Sequence, residues 1–451
     1  MVNFLLLYLN FPFANLSETI FLTEHGDNES LRNSPSHYLV NHGVHALGVA
    51  KNVTFGCVSG ERKALISFKA SLLDHSNRLS SWNHNKDCCS WQGVKCSKVT
   101  EHVTGLDLRN RDMGSMLQGN TIDSSLLELK YLSYLDLSFN DFQGSLIPAF
   151  LGSMKHLQHL NLSGANFIGV VPHQLGNLSS LRALDLSGSY KSLRVDDLMW
   201  ATNLSSLEHL DMSGVNLSRT KHLVKVLNML LFLVELRLSG SGLDSTSLPH
   251  ACVDNSTLLT NVQYLDLSLN SFEGEFPCFL QNMTSLRFLD LSYNMYNSDP
   301  HFLRLNNLED LNVAGNLLHR SADWISEFLS DKCQLKSLNV SLEYNKFSGH
   351  FPEELGELKQ LTELYIESNC VTGLLPSSLG KLRALRVLNL GYNHLSGEIP
   401  ISLGQLSNLE NIGISYNSFE GTLSEAHFAK LSKLEYLNAG SNMLEFRVGY
   451  D

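Results

Sequence analysis

The sequence lacks three things, and each absence removes a class of function. It has no excess of basic charge: among 451 residues, Lys and Arg number 33 against 45 Asp and Glu, a formal net charge of −12. Nucleic-acid binders need clustered cations along the phosphate backbone, and an anionic membrane surface asks for the same, so neither is an expected partner. There is no run of eighteen unbroken apolar residues. The nearest stretch, Val224 to Leu238, is interrupted by Lys225, Asn228, Glu235 and Arg237 and reads as the interior of a coil, so no membrane anchor is expected within the chain. Catalytic phrases are also missing: no GxSxG elbow, no HExxH helix, no GxxxxGK[ST] phosphate loop, and no kinase set of glycine loop, lysine and HRD. The chain is therefore read as a binding protein, not an enzyme, and no cofactor is expected.

What is present begins with cysteine. Of eight cysteines, Cys57, Cys88, Cys89 and Cys96 fall within forty residues, a density typical of an oxidising compartment. No CxxC pair and no spaced histidine completes a zinc set, so no metal site is expected. Adjacent Cys88 and Cys89 are too close in sequence to bridge each other, which leaves two connectivities open. Cys252 and Cys278 stand one coil apart and are candidates to bridge stacked turns, while Cys333 and Cys370 read as free thiols. Asparagine supports secretion as well. Glycosylation is expected at Asn177, Asn203, Asn216, Asn255 and Asn282; Asn177, Asn203 and Asn282 each lie four residues before a strand-leading leucine and so occupy one place on the coil. Further sequons stand at Asn15, Asn28, Asn52, Asn161 and Asn339.

Internal periodicity decides the domain count. LSYLDLSFN (Leu132 to Asn140) satisfies LxxLxLxxN, and thirteen copies begin at Leu132, Leu157, Leu181, Leu207, Leu233, Val262, Leu286, Leu308, Leu335, Leu361, Leu385, Leu409 and Leu434. A degenerate first turn precedes them at Val103, Leu106 and Leu108. Steps of 22 to 29 residues belong to the leucine-rich repeat class. Each LxL is expected to form a short strand with both leucines inward, and stacking to make a parallel sheet. The asparagine is expected to satisfy backbone groups where the strand turns away. Ala165, Ser189, Val215 and Ser241 replace it in four successive repeats, which predicts a less regular array between about residues 160 and 245. The phrase LNVSLEYNKFSG (Leu338 to Gly349) carries two residues more than the usual spacing, which reads either as a bulge or as an artefact of the gene's annotation.

Three domains follow. Residues 1–55 read as a leader: Met1 to Ala14 is apolar over the length of a signal peptide without a basic start, and no repeat follows up to Phe55. Residues 56–97 form a cysteine-stapled cap in which Leu65, Phe68 and Leu72 share a helical face and Trp82 and Trp91 cover the first coil. Residues 98–451 form the repeats, which are expected to stop without a C-terminal cap.

Three phrases carry a resemblance. LSGEIP (Leu395 to Pro400), with its counterparts at Gly144/Pro148, Gly169/Pro172, Gly274/Pro277, Gly349/Pro352 and Gly373/Pro376, resembles the plant-specific LxGxIP repeat. That resemblance implies an α/β solenoid, a right-handed superhelix with a concave parallel β-sheet and a second short strand in each coil. The stretch Cys57 to Cys96 resembles the plant leucine-rich-repeat N-terminal cap, which implies bonds Cys57–Cys88 and Cys89–Cys96. MWATNLSSLEHLDMSGVNLS and VLNMLLFLVELRLSG, between Met199 and Gly240, are similar to plant receptor-like proteins of the fungal xylanase receptor and apple scab resistance type.

The receptor-like resemblance implies an extracellular ectodomain that binds a protein or peptide ligand, including a microbial one, and signals in defence through a co-receptor kinase. It places the protein at the cell membrane only if the full transcript adds a transmembrane helix; the chain by itself would be secreted. Two rival readings are a secreted inhibitor of a microbial cell-wall-degrading enzyme and a truncated copy that does not signal. The ligand is expected on the concave face, at Tyr134, Asp136, His209, Asp211, Arg237, Tyr264, Asp266, Phe288, Asp290 and Tyr365. The Asp-plus-Ser ladder belongs to the repeat itself, so the aromatic and basic positions weigh more. His156, His159, His173 and His209 are expected to be solvated repeat positions.

Overall fold

Each LxL contributes to a strand of three to five residues because its two leucines can leave water only against the equivalent pair of the next coil. In the computed structural model, described for residues 56–83, 86–112, 114–188, 192–248, 259–298, 307–319, 321 and 338–447, these strands form one fifteen-stranded sheet. The leader, Cys252, Asn255 and Cys333 lie outside those residues. The sheet starts with an antiparallel pair, Val94–Cys96 against Val103–Asp107, and continues in parallel through Tyr134–Asp136 to Tyr436–Asn438. Leu106, Leu135, Leu160, Leu184, Leu210, Leu236, Leu265 and Leu289 pair in one unbroken row, all buried. Burial of this kind belongs to neighbours jointly, so stability propagates along the array.

The asparagine position does what a buried turn requires. Asn140 Nδ2 donates to the carbonyls of Leu108, Leu137 and Ser138 at 2.8, 3.0 and 3.2 Å, and its Oδ1 accepts from Leu117 N at 3.0 Å. Asn294, Asn316, Asn369 and Asn393 repeat the pattern. Behind them, Phe142, Phe167, Phe272, Phe347 and Phe419 form a buried phenylalanine spine, with Phe142 and Phe167 stacked at 4.8 Å.

The second strands implied by LxGxIP are present. Gly169–Val170 pairs with Leu193–Arg194, Glu273–Gly274 with Met295–Tyr296, and Thr372–Gly373, His394–Glu398, Ser418–Leu423 and Met443–Phe446 form a four-stranded sheet. Proline then caps the return segment: Pro148, Pro172, Pro277, Pro352, Pro376 and Pro400 each precede a five-residue turn. Those turns are 3-10 helices rather than α-helices. A coil of about 24 residues leaves too little chain for α turns, and adjacent coils approach so closely that a Cβ on Gly176 would strike the Trp200 carbonyl.

Three expectations need correction. The array keeps its register between residues 160 and 245: Ala165 and Val215 are buried apolar substitutes for asparagine, and Ser241 donates to Met212 O at 2.9 Å. The departure from regularity is on the convex side, where an α-helix, Leu223–Met229, replaces the 3-10 turn. The repeat placed at Leu335 sits two residues later. Val340 pairs with Leu311, Val340 and Leu342 are buried, and Asn345 takes the ladder position, donating to Val313 O at 3.0 Å. The expected bulge is present, at Leu338/Asn339 in the pairing with Leu361–Tyr365. Finally, the cap helix is Ser59–Ala70, so Leu72 lies beyond it, in a strand Leu72–Leu73 paired with Gln118–Gly119.

The cap is bound to the array by polar contacts as well as by its stacked Trp82–Trp91 pair, 5.4 Å between centroids. Cys57 bonds Cys88 and Cys89 bonds Cys96, each with 5.5 Å between Cα atoms. Arg78 donates to the carbonyls of Leu108, Arg109 and Ser115 and to Asn140 Oδ1. Cys57, Asp87, Cys88 and Cys89 cluster with ligand atoms within 4.8 Å. Their sulfurs are consumed by the disulfides, and Asp87 Oδ1 accepts from Cys57 N at 2.8 Å and Cys89 N at 3.2 Å. Elsewhere, Cys278 is disulfide-bonded and Cys370 carries an exposed free thiol.

Candidate functional site

Strand alternation leaves two rows of side chains on the concave face. The first runs Tyr134, His159, Ala183, His209, Glu235, Tyr264, Phe288 across successive strands, and the second runs Asp136, Asn161, Asp185, Asp211, Arg237, Asp266, Asp290. Nine of the ten expected residues thus share one continuous surface. Tyr365 belongs to the second row but stands five strands beyond Arg237, about 24 Å at ordinary strand spacing.

The acids of the second row have a structural duty first. Oδ1 of Asp136, Asp185, Asp211, Asp266 and Asp290 accepts the backbone N–H of the serine two residues on, at 2.8 to 3.0 Å. Asn161 serves equally, accepting from Ser163 N at 2.9 Å. Asp136 is fully engaged: buried, it also takes the Ser138 hydroxyl at 2.7 Å and the Tyr134 hydroxyl at 3.2 Å, with Arg109 Nε 3.3 Å away. Asp290 is engaged on its other oxygen too, Oδ2 accepting from Asn312 Nδ2 at 3.0 Å.

A hollow of 330 Å³ opens over this surface, lined by Tyr134, His159, Asn161, Asp185, His209, Asp211, Glu235 and Arg237. Its far wall is an arginine on an aromatic: the Arg237 guanidinium lies 4.3 Å from the Tyr264 ring centroid, and Tyr264 lies 5.6 Å from Phe288. Arg237 Nε is 2.5 Å from Glu235 Oε1, at an angle that makes an ion pair without a hydrogen bond. His209 Nδ1 is 2.9 Å from the other oxygen of Glu235.

Crowding of acids sets the electrostatics. Burial, with the neighbouring charge of Asp185, pushes the Asp211 carboxyl up to about 6, and burial raises Asp185. Asp290 is likewise pushed up to about 6 by burial, with Asp266 adding. Burial lowers His159, helped by the charges of His209 and Arg182. For Arg237 burial pulls downward, but the charges of Tyr264, Glu235 and Asp211 outweigh it and the guanidinium is held above its ordinary value. Tyr264 is pushed up to about 12 by burial.

Sequence reasoning missed two kinds of residue. His159 is half-buried rather than solvated, because Tyr134 packs against it at 5.6 Å. Arg109, which donates to the Tyr134 hydroxyl at 2.7 Å, belongs to the degenerate first turn; its place one residue after Leu108 was the available signal. Glu343 escaped notice because its repeat was set two residues early.

The leucine-rich-repeat N-terminal domain family matches residues 58–97, and leucine-rich-repeat families match residues 130–190, 261–283 and 334–395. Over 288 residues the chain is 37% identical to Receptor-like protein EIX1 of Solanum lycopersicum, covering 60% of this chain and 27% of that protein. It is 34% identical over 302 residues to Receptor-like protein EIX2 of the same plant, covering 63% of this chain and 29% of that protein. The chain therefore spans under a third of the length of these relatives. Among solved structures, the receptor kinase HAESA of Arabidopsis, in complex with the peptide hormone IDA and the co-receptor SERK1, superposes with a TM-score of 0.56 and 25% identity, over 86% of this chain and 74% of that one. A TDR receptor gives 0.59 and 27%, over 75% and 56%.

Proposed function

Since the chain is a leucine-rich-repeat protein of the kind found in plant receptor-like proteins, we propose that its concave face is the recognition surface of an extracellular ectodomain. The observation that carries this reading is the hollow beside Arg237, where a guanidinium on Tyr264, two histidines and a bank of half-buried acids break the monotony of the repeat. A serine-aspartate ladder alone would be scaffold. Large aromatic and arginine side chains on a rigid face are what protein partners bind most strongly. The ligand is a secreted protein or peptide, a microbial one as the resemblance between Met199 and Gly240 implies, and the outcome is defence signalling through a co-receptor kinase. The residues proposed to contact it are Tyr134, His209, Asp211, Arg237, Tyr264, Asp266, Phe288 and Asp290, with Tyr365 further along; Asp136 holds Tyr134 and Arg109 in place. Two cap disulfides suit an oxidising extracellular setting. Among the described residues no helix is long and apolar enough to cross a membrane.

The test is capture. The full chain, secreted from plant cells and immobilised, is challenged with the extracellular fluid of fungus-infected leaves beside an Arg237→Ala/Tyr264→Ala variant of equal thermal stability. The reading expects at least one secreted protein retained by the first and lost by the second. Identical retention by the two would overturn it.

A further inference from the structure

The strand-exit edge of the concave sheet holds glycine in some coils and a large side chain in others. Gly164, Gly240 and Gly315 occupy it with φ of 59, 62 and 63°, and Phe139, Leu269 and Tyr293 with φ of 56, 54 and 52°. In the same register stand Tyr344, Tyr392 and Tyr416, with φ of 51, 52 and 53°. Glycine meets that backbone without strain, whereas an L-residue with a side chain costs roughly 1 kcal/mol or more. These tyrosines are also 52, 48 and 46% exposed, and the rings of Tyr392 and Tyr416 stack 4.2 Å apart. About half of each side chain is thus open to solvent.

One residue before Tyr344 is Glu343, and one coil further on is Glu367. Both face the tyrosine edge: the charges of Glu367 and Glu343 add to burial in raising Tyr344, and Glu367 acts on Tyr392 in the same sense. Neither carboxylate has a cationic partner among the described residues. Glu367 takes only the amide of Asn389. Burial, with the charge of Glu367, pushes Glu343 up to about 7. The next position in this row is Gly391, which places no side chain of its own beside Glu367; the nearest side chains there are Asn389 and Ser415.

We propose that this edge is the docking surface for a basic, extended segment of the protein ligand, one of whose Lys or Arg side chains lies over Tyr392 with its charge between Glu343 and Glu367. An acidic or neutral segment would leave the two carboxylates uncompensated. A cation gains both the ring face and the charge-assisted hydrogen bonds. This rests on the reading of the concave face as a recognition surface and adds the chemistry of what it recognises there.

The experiment titrates the full chain with a nonapeptide of alternating Arg and Ser, and with its Glu-Ser counterpart, by calorimetry. The basic peptide is expected to bind, more weakly as salt rises, and the acidic one not to bind. Glu343→Gln/Glu367→Gln should weaken binding about tenfold. Tyr392→Ser should weaken it several-fold; serine already holds this register at Ser368, φ 57°, so that variant keeps the coil. Equal binding of the two peptides, or unchanged affinity in both variants, overturns the proposal. If the chain retains a secreted protein in the capture test but ignores the basic peptide, the docking surface is wrong and the recognition role stands. Failure of both tests removes both.

Discussion

Glu61 of the cap helix accepts the backbone N–H of Val103, forty-two residues away in the first strand of the array, at 2.8 Å. Its other oxygen lies 2.9 Å from His102 Nδ1, and the side chain is 4% exposed. A buried carboxylate therefore ties the cap to the sheet at the one strand that has no preceding parallel neighbour.

Glu61→Ala would leave the Val103 N–H unsatisfied in the interior and should lower stability by about 2–3 kcal/mol. Glu61→Gln, which keeps an oxygen acceptor, should retain most of it. Urea unfolding of the full chain separates the two; equal losses would show that the contact contributes through packing and not through its hydrogen bond.

Asn393 donates to the carbonyls of Ile366, Leu390 and Gly391 and accepts from Val371 N at 3.0 Å. Asn393→Ala should cost about 2–4 kcal/mol and speed amide exchange at Val371. Ala165 fills the same position with an apolar interior already built around it, so its replacement by Gly should be milder. Hydrogen exchange with mass spectrometry reads both.

Asp211 makes stability depend on pH. A carboxyl that is raised on folding binds its proton more tightly in the folded chain, so its contribution to stability is full below about 3.8 and is lost as pH rises through about 6. Asp211→Asn removes the ionisation while keeping an oxygen for Ser213 N, as Asn161 does for Ser163. The variant should melt higher than the parent at pH 7.5, by at most about 3 kcal/mol, and no higher near pH 4. A stabilisation that persists unchanged at pH 4 would show that the burial of charge is not its cause.

Asn177, Asn203 and Asn282 each end a 3-10 turn with exposed side chains, one above another on the convex side. Glycopeptide mass spectrometry of the secreted chain should find all three occupied, and each Asn→Gln change should remove one glycan without lowering the melting temperature. An unmodified Asn203 would mean that Trp200 and its neighbours restrict access to this column.

Periodicity alone specified the solenoid, because a leucine pair recurring every 22 to 29 residues has no other way of leaving water than to stack on its copies. It specified the rows of the concave face for the same reason: alternation along a strand is fixed by backbone geometry, so Tyr134, His209, Arg237 and Tyr264 could be placed on one surface from LxL spacing. The cap pairing came from family resemblance, since local spacing left two connectivities open. Where two residues were inserted before Val340, the pattern could not say whether strand or loop absorbed them; the answer lay in which side chains Leu311 could pair with. The 3-10 turns, the reach of Glu61 to Val103, the stacking of Arg237 on Tyr264 and the approach of Glu343 to Glu367 were decided by the tertiary structure. Each joins residues whose separation in the chain carries no periodic signal, and each depends on distances between coils that only the packed array sets.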